Sequence, residues 1–208
     1  MKRYIRATDF FDYGDSDTRL HLAEDSNTDP KILAELAKDY TSDIIRGCVA
    51  RNPNTPVAAL QRLAKDGDNS VRSAVAYNKS TPIEILNELA SDYDWMVQDN
   101  VATHPNSDAT TLDIVAKHHP DWQTCQDLAE NPKTSTETLD YLSTIKPSKN
   151  EFKFYGKIIS NPNTSLDTLI RMLDMKDGEW LIPKYTDRSD ILDYIAEHKR
   201  NKRQRRKS

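Results

Sequence analysis

Apolar residues three apart recur down the chain: Leu33 and Leu36, Leu60 and Leu63, Leu86 and Leu89, Leu112 and Val115, Leu139 and Leu142, Leu169 and Met172. A spacing of three places both side chains on one stripe of an α-helix and leaves the polar residues between them on its other faces. A second set, four apart, interleaves with the first: Ile45 and Val49, Val71 and Val75, Val97 and Val101. This predicts a shorter second helix, partly 3₁₀, after a break such as "KDGDNS".

The polar punctuation repeats as well. Related phrases start at Leu22 ("LAEDSNTD"), Val49 ("VARNPNTP"), Val75 ("VAYNKSTP"), Val101 ("VATHPNSD"), Leu128 ("LAENPKTS") and Ile158 ("IISNPNTS"), in steps of 27, 26, 26, 27 and 30 residues. Steps of this size mark stacked supersecondary units. Thr28, Thr55, Thr81, Ser107, Thr134 and Thr164 are expected as helix N-caps, their hydroxyls accepting from the first free amides. Pro56 and Pro82 are then expected in the first helical turn, and Thr81 with Glu84 and Thr134 with Glu137 have capping-box spacing. Asn52, Asn131 and Asn161 each precede a proline, which forces them out of the α region and opens a turn. A pair of helices this thin buries its stripe only against the next pair. The expected fold is an all-α solenoid of short helix-turn-helix repeats with a period of about 26–27 residues.

The unit that runs from Val49 to Val75, with its Asn-Pro-Asn-Thr-Pro turn, paired leucines and Val-Arg, resembles the leucine-rich repeat variant, a bacterial repeat akin to HEAT repeats. The resemblance covers roughly residues 22–173 and implies a right-handed superhelix, an α-solenoid of alternating α and short, often 3₁₀, helices. Some members of that family hold an iron–sulfur cluster on N-terminal cysteines. The first 47 residues here contain no cysteine, so the cluster does not carry over and no cofactor is expected.

Residues 1–21 read as an N-terminal cap, 22–182 as the solenoid and 183–198 as a C-terminal capping helix with Ile191, Leu192 and Ile195 inward. Residues 199–208 form a basic tail, expected to be disordered. Composition agrees with this division. Gly occurs 5 times against 10 Pro and charged residues reach 30%, a mixture that favours helices with hard stops, while an apolar share of 37% suits a thin core. No run approaches the roughly 20 apolar residues of a membrane span, and the N-terminus turns acidic before a signal-peptide core develops, so a cytoplasmic protein without membrane contact is expected. Cys48 and Cys125 are too few for a disulfide framework and read as reduced thiols.

Charge narrows the partners. Seven of the 29 basic residues follow Glu197, which leaves 22 against 33 acidic residues in 1–197, or −11. An acidic body repels phosphate, so nucleic acid is expected to meet only the tail, through Lys199, Arg200, Lys202, Arg203, Arg205, Arg206 and Lys207. No phosphate loop, zinc-protease motif or nucleophile elbow occurs, and the adjacent His118 and His119 point about 100° apart on a helix, a poor chelate. An enzyme is not expected. Six residues before Val101, Leu128 and Ile158 stand Trp95, Trp122 and Phe152, where the earlier units hold Asp43 and Asn69. These rings either wedge between units or form an exposed binding stripe flanked by Arg46, Arg72 and Gln98. The leading expectation is a monomeric, non-enzymatic protein-binding module. The alternative is a nucleic-acid-associated or nucleic-acid-mimicking inhibitor of the kind phages direct against host defence, and an enzyme with an unrecognised site stands behind both.

Overall fold

The computed structural model describes residues 15–118, 120–146, 151–173, 182, 186, 189 and 191–197, with the side chains of Glu151 and Phe152 excepted. The capping segment up to residue 14, the side chain of Phe152, and the tail cations from Lys199 to Lys207 therefore lie outside the described residues. Among the described residues the chain is helical and contains no strand.

The helices, in order, are α1 (Ser16–Glu24), α2 (Pro30–Leu36), α3 (Asp43–Arg51), α4 (Val57–Leu63), α5 (Asn69–Tyr77), α6 (Ile83–Leu89), α7 (Trp95–Thr103), α8 (Ala109–Lys117), α9 (Trp122–Glu130), α10 (Thr136–Thr144), α11 (Glu151–Ser160) and α12 (Leu166–Leu173), with a further helical stretch over residues 191–197. They fall into two compact units, residues 1–124 and 125–208. In the first unit α1 packs on α3, α3 on α5 and α5 on α7, while α2 packs on α4 and α6 on α8. In each of these pairs a helix meets the corresponding helix of the neighbouring repeat. In the second unit α10 packs on α11 and α12, and residues 191–197 are helical with Ile191 and Ile195 buried.

The periodic apolar residues make the core. Leu33, Leu60, Leu86, Leu112, Leu139 and Leu169 are fully buried, as are Val49, Val75 and Val101 from the second helices. Each such side chain contributes about 1.5–3 kcal/mol relative to exposure.

Two expectations about the helix ends are corrected. The threonines of the repeated phrase do not cap the helix ahead. They donate backwards: Thr28 Oγ1 to Leu22 O at 2.7 Å, Thr81 Oγ1 to Val75 O at 2.7 Å, Ser107 Oγ to Val101 O and Thr134 Oγ1 to Leu128 O at 2.6 Å. A helix leaves its last carbonyls without partners, and the hydroxyl across the turn satisfies one of them. The N-cap is the next residue, Asp29 for α2, Asp108 for α8 and Ser135 for α10. Pro56 and Pro82 hold that position for α4 and α6, so they stand one residue before the helix rather than inside it.

In the first three repeats the relative lengths are also reversed. The second helices α3, α5 and α7 have nine residues, whereas α2, α4 and α6 have seven; α8, α9 and α10 have nine each. Three-residue bonds of the 3₁₀ kind close both sets of helices: Asp39, Asp66 and Asp92 N–H donate to Leu36, Leu63 and Leu89 O, and Asn52, Asn78 and His104 N–H donate to Val49, Val75 and Val101 O.

Candidate interaction surface

Both ends of each second helix in the first unit are tied to neighbouring repeats, and these ties decide which polar residues remain for a partner. At the C-terminal end stands an amide ladder. Asn78 Nδ2 donates to Ala50 O at 2.7 Å and Asn52 O at 2.9 Å, while its Oδ1 accepts from Ser80 N–H at 2.9 Å. Asn52 bonds Ala23 O and Asp25 O in the same manner, both at 2.9 Å. In the second unit Asn161 does so with Ala129 O and Asn131 O, both at 2.9 Å. His104 replaces the amide in its repeat. Its Nδ1 accepts from Asn106 N–H at 3.0 Å, so Nε2 carries the proton and donates to Asn78 O at 3.0 Å. Asp25 keeps only the acceptor half, taking Asn27 N–H at 2.9 Å.

At the N-terminal end stands a ladder of charge. Arg46 bonds Asp66 through Nε at 2.6 Å and Nη2 at 3.0 Å, and its Nη1 donates to Asp39 O at 2.9 Å. Arg72 repeats this with Asp92 at 2.6 and 3.0 Å and with Asp66 O at 2.9 Å. Gln98 keeps the last of these bonds, donating to Asp92 O at 2.6 Å. Burial pushes the Asp66 carboxyl up, but the bonds from Arg46 and the Asp68 amide overcome it and hold the carboxyl below its ordinary value. The bond to Asp92 raises the Arg72 guanidinium.

Arg46, Arg72 and Gln98 are thereby placed as struts between repeats. Arg72 and Gln98 are buried. Sequence reasoning read them as flanks of a binding stripe because it lacked their partners. The signal was present: an Asp stands twenty residues after each arginine.

The tryptophans stand differently. Asp94 caps α7, its Oδ1 accepting from Met96 N–H at 2.9 Å, which makes Trp95 the first helical residue. Asp121 Oδ1 accepts from Thr124 N–H at 2.8 Å beside Trp122, the first residue of α9. Helical side chains lean toward the N-terminus, so a ring at the first position reaches past the helix start instead of down onto the core. Trp95 is 51% exposed and Trp122 36%. Tyr93, in the loop before α7, is 84% exposed, and Met96 reaches the surface beside it. Sequence reasoning missed Tyr93, whose counterpart in the preceding repeat is Gly67. The Arg72 guanidinium carbon lies 4.8 Å from the Tyr93 ring centroid.

Cations gather elsewhere in this unit. Lys38, Arg46, Arg62 and Lys65 help line a cleft of about 460 Å³ with Tyr40 at its edge. Cys48 and Cys125 are not joined in a disulfide, and burial followed by the charge of Glu24 pushes the Cys48 thiol up. Among the described residues no group of three or more His, Cys, Asp or Glu side chains is placed to hold a metal ion, and no helix is long and apolar enough to cross a membrane. No family model, curated protein or solved structure matches the chain.

Proposed function

We propose that the chain is an α-solenoid of the leucine-rich-repeat-variant, HEAT-like kind, acting as a monomeric, cytoplasmic, non-enzymatic module that binds another protein through Trp95 and Trp122. The observation that carries this reading is the pair of tryptophans left at the surface, at the same position of two repeats and at the starts of α7 and α9. Tryptophan is the residue type most enriched at binding hot spots, and repeat proteins bind through equivalent positions of successive units. The ladder residues support the reading by elimination, since Arg72 and Gln98 are occupied inside the chain. The basic tail, residues 199–208, is proposed as the only segment that contacts nucleic acid.

A photo-crosslinking amino acid placed at position 95 or 122 in cells tests this. A discrete protein adduct from both positions, absent when the probe replaces the exposed Lys79, is the expected result. Equal labelling from all three positions contradicts it.

A further inference from the structure

We infer that the partner presents a basic segment, rich in arginine or lysine, to the loop between α6 and α7 and the start of α7. This rests on the binding role proposed above and adds the chemistry of what binds.

Two independent features meet there. Three large side chains within four residues reach the surface: Tyr93 at 84% exposure, Trp95 at 51% and Met96 at 36%. Along the chain, residues 80–116 hold seven carboxylates and neither a lysine nor an arginine; Glu88, Asp92 and Asp94 stand at this loop, while Glu84 and Asp108 stand at the far ends of α6 and α7. Lys65 touches one margin of this stretch, 3.5 Å from Glu88. Aromatic faces attract cations, and guanidinium more often than ammonium. A surrounding negative field selects a cationic segment over an acidic one and draws it in faster.

The loop already shows this recognition within the chain. The Arg72 guanidinium is held edge-on by the Asp92 carboxylate at 2.6 and 3.0 Å and face-on by the Tyr93 ring at 4.8 Å. An aromatic face recurs one step further along at Trp95, beside Asp94, whose carboxylate accepts from the Met96 amide and the Asn69 side chain. A partner arginine laid on Trp95 repeats outside the repeat what Arg72 does within it. A neutral amphipathic helix or a polyanion finds no such match.

The test uses the full-length chain and a fluorescein-labelled octa-arginine peptide, read by anisotropy at low and at physiological salt. Octa-glutamate and a neutral amphipathic peptide are the controls. Octa-arginine is expected to bind, more weakly as salt rises, and the controls are not. Trp95→Ala and Tyr93→Ala are each expected to weaken binding about tenfold, while Trp95→Phe, which keeps an aromatic face, stays within about threefold. Unchanged binding by Trp95→Ala, or preference for either control, overturns the inference. Should a protein be crosslinked through position 95 yet not be displaced by octa-arginine, the basic-segment inference fails while the binding role stands.

Discussion

Arg72 grips Asp92 with both prongs of its guanidinium, Nε to Oδ2 at 2.6 Å and Nη2 to Oδ1 at 3.0 Å, and so clamps the start of one second helix to the loop of the next repeat. Only 6% of the arginine side chain and 8% of the aspartate side chain meet solvent. Removing one partner of such a pair leaves a buried charge uncompensated. Arg72→Ala is therefore expected to cost about 3–5 kcal/mol in denaturant unfolding. Arg72→Gln should cost less, because Gln98 shows that an amide at this position still reaches the loop carbonyl. A loss under about 1 kcal/mol for Arg72→Ala, the level of exposed pairs, contradicts the clamp.

The amide ladder makes a prediction by exchange. Asn78→Ala strips the buried Ala50 carbonyl of its donor and the Ser80 amide of its acceptor, at about 1–3 kcal/mol for each, while the Asn52 carbonyl keeps the Thr55 N–H at 3.1 Å. His104→Asn supplies the same donor and acceptor as the imidazole and is expected to melt near the wild type, whereas His104→Ala melts well below it. Equal melting of the two His104 variants would show that the ring acts only by filling space.

Stability should fall with acid in a defined direction. Burial raises the carboxyls of Asp39 and Asp66, but hydrogen bonds and their arginine partners outweigh it, so both titrate below their ordinary value in the folded chain. A lowered folded value means the contribution is complete above the unfolded value of about 3.9 and is lost as the pH falls through the folded one. The melting temperature is expected to hold from neutrality to about pH 5 and drop below about pH 4. Asp66→Asn should lower the melting temperature at neutral pH and flatten this acid limb. An acid limb of unchanged steepness in that variant counts against the assignment.

The basic tail is proposed to be separable. Deleting residues 199–208 removes seven cations and is expected to leave the helical circular dichroism and melting unchanged. Any affinity for nucleic acid should disappear with it and, in the full chain, fall steeply with salt. Salt-insensitive binding that survives the deletion would place a nucleic-acid site on the acidic body.

The sequence made the helices, their core residues and the repeat step legible because those follow from spacing alone. Leu33, Leu60 and Leu86 are buried where the three-residue pairs put them. Hydroxyl direction was not legible: Thr81 is an N-cap by position in the phrase, yet its proton goes back to Val75 O. The partner of Arg72 was not legible for a related reason. An arginine three residues into a helix looks exposed until the carboxylate twenty residues on is brought beside it. Trp95 was undecided between wedge and surface because its position lies at the edge of the stripe, and the cap at Asp94 is what turns it outward.

The central claim is that Trp95 and Trp122 form a binding surface and not part of the core. The direct measurement is the melting temperature of the Trp95→Ala, Trp122→Ala double variant together with its affinity for the partner crosslinked through those positions. Both rings reach solvent, so melting should change little while binding weakens by about 2 kcal/mol or more. A stability loss of about 3–5 kcal/mol for each ring, with unchanged affinity in the protein that remains folded, would make them core wedges and contradict the account.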